Sequence, residues 1–227
     1  MMRRWFMQTS QHKGYKGMGM EGRVATWYAR NTAKDMAEFR SLAERMAKEV
    51  RAGSRVLEVA PGPGYLSVEL AKRGQYEISG LDISKSFVAI ATENARAASV
   101  KVDFREGNAS AMPFADDAFD LIVCRAAFKN FSHPLEAMNE MHRVLKRGAH
   151  ALIIDLRKDA SMDEINAYIK NIDLGLVNSL IYKLTFRYML IPRAYTREQL
   201  LAMASRSRFC GAEIRESGVG VEVTLRK

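Results

Sequence analysis

Apolar residues recur along this chain in two periods, and their order predicts the fold. Arg55-Val-Leu-Glu-Val-Ala60 is a short apolar, β-branched run of buried-strand type. Runs from Glu77 to Leu81, Lys101 to Arg105, Leu121 to Arg125 and His150 to Leu156 repeat that character. Helical spacing fills the gaps between them, from Tyr65 to Lys72, from Ser84 or Lys85 to Ala98, and after Pro134. In the last of these Glu136 suits the positive helix end. Leu135, Met138, Met141, His142 and Leu145 make its apolar face, and Lys146-Arg147-Gly148 is expected to close it. Strands alternating with helices predict an α/β, doubly wound, mostly parallel sheet.

Two stretches break the rhythm. Met1 to Lys16 reads as loosely ordered, and Gly22 to Val50 as helical, with Trp27, Tyr28, Met36, Phe39, Leu42 and Met46 among charges. From Arg157 to Arg193 two helices are predicted. Met162 to Ile172 places Ile165, Tyr168, Ile169 and Ile172 on one side, while Leu174 to Leu190 is apolar nearly all round. Such a helix must be covered by protein, membrane or ligand. A last helix from Tyr195-Thr196 through Phe209 leads to two strands, Ala212 to Ser217 and Val219 to Leu225, which turn at Gly218.

With 227 residues the chain has room for one sizeable core, so one domain is expected over 1–227. It divides into an N-terminal helical extension (1–50), a core (51–156), a helical lid insert (157–194) and a closing helix with two strands (195–227). Two cysteines, Cys124 and Cys210, are too few for a disulfide scaffold and lack metal spacing. No apolar run reaches the length of a membrane span, and no secretory signal opens the chain, so a cytoplasmic enzyme is expected. The net charge of +9 is spread without a basic block of five or more, which favours a solvated surface over a nucleic-acid stripe.

The chemistry gathers at Pro61-Gly-Pro-Gly64, where glycines let the backbone turn tightly and approach a ligand. About twenty residues later Asp82 ends the second strand. Strand, glycine turn, helix and following acid suit a ribose-bearing cofactor. A nicotinamide fingerprint needs a third glycine, where Tyr65 or Ser67 stands. Instead Glu58 lies inside the strand, two residues before the turn. This resembles the class I S-adenosylmethionine (SAM) methyltransferases, whose first motif reads acid-x-Gly-x-Gly-x-Gly; Ala60 replaces the first glycine. Met112-Pro-Phe with Phe119-Asp120 and the following strand, and Arg143-Val-Leu-Lys-Arg-Gly148, resemble further blocks of the small-molecule (type 11-like) group. The match covers roughly Ala52 to Leu156.

The resemblance implies a seven-stranded Rossmann-like sheet closed by an antiparallel hairpin. It implies SAM as cofactor, held by Glu58, Ala60, Gly62, Gly64, Asp82, Ile83, Asn108, Ala109 and Arg125. Asp82 would take the ribose hydroxyls, leaving Ser84 to cap the next helix. Asn108 stands where the family has an acid for the adenine amino group, or serves as a turn former after Gly107. The acceptor is expected to be a small aromatic or lipophilic molecule in a pocket of Tyr28, Phe128, Phe131, Leu180 and Phe186. The lid's apolar character equally suits a homodimer contact or plain core packing. His133 is a candidate base or a helix cap, and Asp155 a second candidate base. Three alternatives stay open: a nucleic-acid methyltransferase, although its Pro-Pro-aromatic and Pro-Cys motifs are missing, a membrane-lipid methyltransferase, and a non-catalytic SAM-binding protein.

Overall fold

The structure, a computed structural model, describes residues 14–16, 19–171, 183–184 and 186–227. Seven strands make one sheet: β1 (Arg55–Val59), β2 (Glu77–Asp82), β3 (Asp103–Glu106), β4 (Phe119–Arg125), β5 (Leu145–Leu156), β6 (Glu213–Ser217) and β7 (Gly220–Arg226). Their order across the sheet is β3-β2-β1-β4-β5-β7-β6. The first five run parallel, and β7 pairs antiparallel with both β5 and β6. This is the doubly wound, mostly parallel sheet expected. The strand order reverses between β1 and β4, and ligands of such sheets bind outside the carboxyl ends of the strands at that switch point.

The helices are α1 (Gly22–Thr32), α2 (Met36–Ala47), α3 (Tyr65–Ala71), α4 (Lys85–Ala97), α5 (Pro134–Val144), α6 (Met162–Asn171) and α7 (Arg197–Arg206). Two cores follow from the alternation of side chains along the strands. Val56, Leu121 and Val123 pack with Phe39, Leu42 and Met46 of α2 and Leu66 and Leu70 of α3. Leu57, Val59, Ile122 and Cys124 face the other way, onto Met138 and Met141 of α5 and Leu200 and Ala204 of α7.

Several boundaries depart from the sequence reading. The Gly22–Val50 stretch is two helices, parted by a tight turn at Ala33–Asp35. Helix α5 stops at Val144, so Lys146-Arg147-Gly148 is not its cap; those residues open β5, whose pairing with β4 shifts between Phe119 and Leu121. Gly148 takes φ 77°, in the left-handed region, where β5 bulges out of its register with β4. Helix α7 begins one residue after Thr196, which forms a capping box with Gln199. Of the Leu174–Leu190 helix only the end is described, so Leu180 lies outside the described residues. Phe186 is buried with Ile165, Ile169 and Val219, whereas Tyr188 is 66% exposed, so this end is not apolar all round.

Candidate active site

The glycine loop grows directly from β1. Ala60 turns at φ 57°, followed by Gly62 at 54° and Gly64 at 76°. A left-handed alanine costs roughly 1–2 kcal/mol, which glycine avoids. Gly64 is needed twice over, because a Cβ there would meet the Phe104 ring at 2.7 Å and Ala91 at 2.8 Å. At Gly62 the space is open except for the edge of Tyr28 at 4.0 Å. Behind the loop, buried Glu58 accepts hydrogen bonds from the Ser67 amide at 3.0 Å and from the Ser67 hydroxyl. It thereby ties β1 to the first turn of α3. Burial pushes its carboxyl up to about 7, against the pull of the Ser67 bonds and Arg125.

Asp82 braces the same loop from β2. Its carboxylate accepts from the Gly62 amide at 2.9 Å and from the Ser84 amide at 2.9 Å. Ser84 caps α4 through the Phe87 amide, as expected. Burial raises the pKa of Asp82, opposed by the Ser84 and Gly62 amides. The neighbouring Ile83 amide pulls in the same direction as those two. Next to it Ile83 is 39% exposed. Across from them Asn108 is the turn former after Gly107, accepting from the Ser110 amide at 2.9 Å, with Ala109 partly buried behind it.

One feature of the site was missed. Residues 14–16, expected to be loose, cross the carboxyl edge of the sheet as a strap. The Lys16 amide donates to the Asn130 carbonyl at 2.7 Å, and the Ser132 amide to the Gly14 carbonyl at 3.2 Å. Lys16 Nζ donates to the Tyr195 hydroxyl at 2.8 Å. Gly14 lies so close over Ile83 and Asn108 that a Cβ would come within 2.8 Å of both. Burial raises the Tyr15 phenol above its ordinary range; Arg193 opposes this, and Tyr28, Asp82 and Asp155 add to it. Gly14 was the available signal, but one glycine among polar residues points to no partner.

On the other side of the switch point lies a cleft of about 490 Å³. Arg125, Ala126, Ile154, Asp155 and Leu156 form its floor, Glu164 and Tyr168 of α6 one wall, and Ser217 to Gly220 another. Arg125 therefore faces the cleft. Its guanidinium pairs with Glu38 at 2.7 Å and stacks on Phe39 at 4.4 Å. Tyr28 moves the opposite way, from the expected acceptor pocket to the glycine loop, where its ring meets Phe87 edge-on at 5.6 Å.

The other acceptor residues sit deeper than expected. Phe128 and Phe131 are buried in the core, edge to face at 5.5 Å, and line no part of the cleft. Their ring area is better buried than exposed. Phe186 stands behind the cleft, against Tyr168 at 5.4 Å. His133 neither lines the cleft nor caps α5 with its side chain. Its main-chain carbonyl instead accepts from the Ser110 hydroxyl at 3.1 Å. Asp155 lines the cleft, yet its carboxylate is engaged by Lys129 Nζ at 2.6 Å and the Lys129 amide at 2.9 Å. Both carboxylate oxygens are thus already occupied by donors from the protein.

A glycine loop with room at Gly62, a buried acid bracing it, and an exposed apolar side chain beside that acid fit an adenosine-bearing cofactor with two ribose hydroxyls. Among the described residues no cluster of ligands could hold a metal ion. The fold and loop thus define a Rossmann-like, nucleoside-cofactor protein.

Residues 57–153 match the family described as "Methyltransferase domain". The chain is 33% identical over 162 residues to a demethylmenaquinone methyltransferase of Chlorobaculum parvum, covering 69% of this chain and 65% of that protein. It is 35% identical over 108 residues to the ubiquinone/menaquinone biosynthesis C-methyltransferase UbiE of Roseobacter denitrificans, covering 46% and 43%. The chain thus spans less than two thirds of the length of these relatives. Its fold matches a SAM-dependent methyltransferase of Aquifex aeolicus, with a TM-score of 0.61 at 20% identity over 84% of this chain and 97% of that one. It also matches the [4+2]-cyclase SpnF, with a TM-score of 0.59 at 25% identity over 91% and 65%. A fold shared with a cyclase does not by itself fix the chemistry.

Proposed function

We propose that the chain transfers a methyl group from SAM to a carbon of a lipophilic, quinone-type aromatic acceptor. The observation that carries this reading is the junction at the β1–β4 switch point. There the loop braced by Asp82 emerges beside the β4 turn at Arg125 and Ala126, which floor a cleft of about 490 Å³ lined by apolar residues together with Arg125, Glu38, Asp155 and Glu164. The volume suits a small ring system, since ligand pockets commonly span roughly 300–1,000 Å³. The names of the relatives add the acceptor class.

In this reading Asp82 and Ile83 hold the ribose and adenine side, and Gly62 lets the backbone come close. The cofactor supplies, when bound, a methyl group on a cationic sulfur that is open to in-line displacement. Leu156, Val219 and Tyr168 orient the acceptor ring and exclude water, which provides the alignment this displacement chiefly needs. Arg125 faces the negative charge that develops on a ring hydroxyl as the neighbouring carbon becomes nucleophilic. Glu38, paired with Arg125, keeps the guanidinium aimed into the cleft.

The test is incubation with labelled SAM and a panel of demethylated naphthoquinols, phenols, amines and thiols, with mass spectrometry of the products. A methyl group on a ring carbon of the quinol is the expected result. Transfer only to an amine, thiol or nucleic acid would replace this acceptor, and an unmethylated rearranged product would point to chemistry of the cyclase kind.

A further inference from the structure

A buried ion pair stands directly beneath the junction. The side chains of Lys129 and Asp155 are 5% and 6% exposed, and Nζ meets Oδ1 at 2.6 Å. Beside them is a cavity of about 10 Å³, lined also by Phe128 and Tyr195. Such a pair is weak evidence for stability, because apolar side chains of similar volume often serve as well or better. What this pair does locally is specific. Lys129 Nζ also donates to the Ala126 carbonyl at 2.7 Å. Ala126 is the first residue after β4 and takes φ 58°, in the left-handed region that alanine avoids. The Ala126 amide is held by the Ile154 carbonyl at 2.7 Å, and Asp155 Oδ1 accepts from the Leu156 amide at 2.8 Å.

The position gives this strain a consequence. Glu58 pairs with Val123 across β1 and β4, so the Ala60 turn and the Arg125–Ala126 turn emerge side by side. Ala126 and Asp155 both line the cleft. Strained residues persist where their surroundings over-determine them, and they gather at functional sites. A strong charge-assisted bond to the Ala126 carbonyl is such a constraint.

We propose that Lys129 and Asp155 are positioning residues: their pair fixes Ala126 in its left-handed turn, and so sets the wall where the cofactor loop meets the acceptor cleft. This rests on the methyl-transfer reading above for its kinetic consequence, though not for its structural one. Without the pair, Ala126 relaxes to an ordinary conformation and the alignment of this wall with the cofactor loop is lost. Glycine at 126 can keep the left-handed turn without help.

The experiment compares the parent with Lys129→Met/Asp155→Asn, which removes both charges together, and with the same double variant carrying Ala126→Gly. Carbon chemical shifts of Ala126 report its backbone without any acceptor. They should show the left-handed turn in the parent and lose it in the double variant. With a quinol acceptor, kcat should fall about tenfold or more, while KM and the affinity for S-adenosylhomocysteine change by less than about threefold. Adding Ala126→Gly should restore at least about half of the lost kcat, a rescue that general destabilisation would not give. A left-handed Ala126 in the double variant overturns the proposal, as does parental kcat or a loss that glycine fails to repair. If the parent binds S-adenosylhomocysteine but methylates no quinol, the acceptor reading fails and the Ala126 shifts still decide the positioning role. Should the double variant not fold, Lys129→Arg, which keeps the charge but moves the donors, carries the same comparison at Ala126.

Discussion

Glu58 and Ser67 are locked together across the interface between β1 and α3, with both the amide and the hydroxyl of Ser67 donating to one carboxylate oxygen. The carboxyl titrates near 7 in the fold against an ordinary value of 4.5. A raised acid pKa means the folded state binds its proton more tightly than the unfolded chain does. The stability this gives is complete below about pH 4.5 and is lost as pH rises through about 7, by roughly 3 kcal/mol. Glu58→Gln should flatten that loss. In urea unfolding, the variant should gain on the parent between about pH 5 and about pH 8. An equal difference at both pH values would show that Glu58 titrates normally.

The glycine loop gives a ranked prediction. Ala60 already occupies the left-handed region, so Ala60→Gly relieves strain but adds freedom to the unfolded chain. The expected net effect is neutral to about 1 kcal/mol stabilising. Gly62→Ala has space around it and should cost only the backbone strain, about 1–2 kcal/mol. Gly64→Ala adds a collision with Phe104 and Ala91 and should cost most. Melting temperatures of the three variants test the order.

How far the sequence discloses these arrangements depends on the range of the interaction. The five parallel strands, the Ser84 cap and the hairpin around Gly218 depend on local pattern and turn chemistry, and each is found where that pattern places it. The end of α5 is not legible locally, because Lys146-Arg147-Gly148 looks like a helix stop, while in the fold these residues bulge out of the β4 register and the Gly148 amide donates to the Lys227 carbonyl at 2.9 Å. Phe128 and Phe131 read equally well as pocket or core, since an aromatic residue carries no sign of which side faces solvent. The strap at Gly14 and the Lys129–Asp155 pair join residues far apart in the chain, and no local pattern announces such contacts.

Asp82 joins two loops, so its variants should separate structure from binding. Asp82→Ala leaves the Gly62 and Ser84 amides without their acceptor, and each unpaired buried amide costs about 1–3 kcal/mol. Asp82→Asn keeps one acceptor oxygen, so it should fold better yet bind SAM about tenfold or more weakly, because the charge-assisted bonds are gone. Calorimetry with SAM alongside thermal melts makes the comparison. Parental affinity in Asp82→Asn would take the ribose away from this carboxylate.

The strap offers a kinetic test. Gly14→Val cannot keep the close approach to Asn108 and Ile83, so Gly14–Lys16 should lift from the sheet edge. If the strap covers a bound nucleoside, S-adenosylhomocysteine should dissociate about tenfold faster, with a smaller change in association rate. Stopped-flow displacement measures both rates. Unchanged dissociation would leave the strap as packing alone.

Tyr168 and Phe186 touch at 5.4 Å but face different surroundings, and that contrast makes the cleft testable. Phe186 is 5% exposed and packs on Ile165, Ile169 and Val219. Truncating it to alanine opens a cavity and should lower stability by about 3–5 kcal/mol, with Tyr168 losing its support as a secondary effect. Tyr168 is 39% exposed and lines the cleft, so Tyr168→Ala removes a wall without emptying the core. It should cost about 1 kcal/mol or less in stability while raising the acceptor's KM about tenfold, with SAM affinity unchanged. Tyr168→Phe should behave like the parent if the ring supplies contact area, and like alanine if the hydroxyl orients the acceptor. Steady-state kinetics and melting curves on these three variants separate the two layers. A Tyr168→Ala protein with parental KM would move the acceptor out of this cleft.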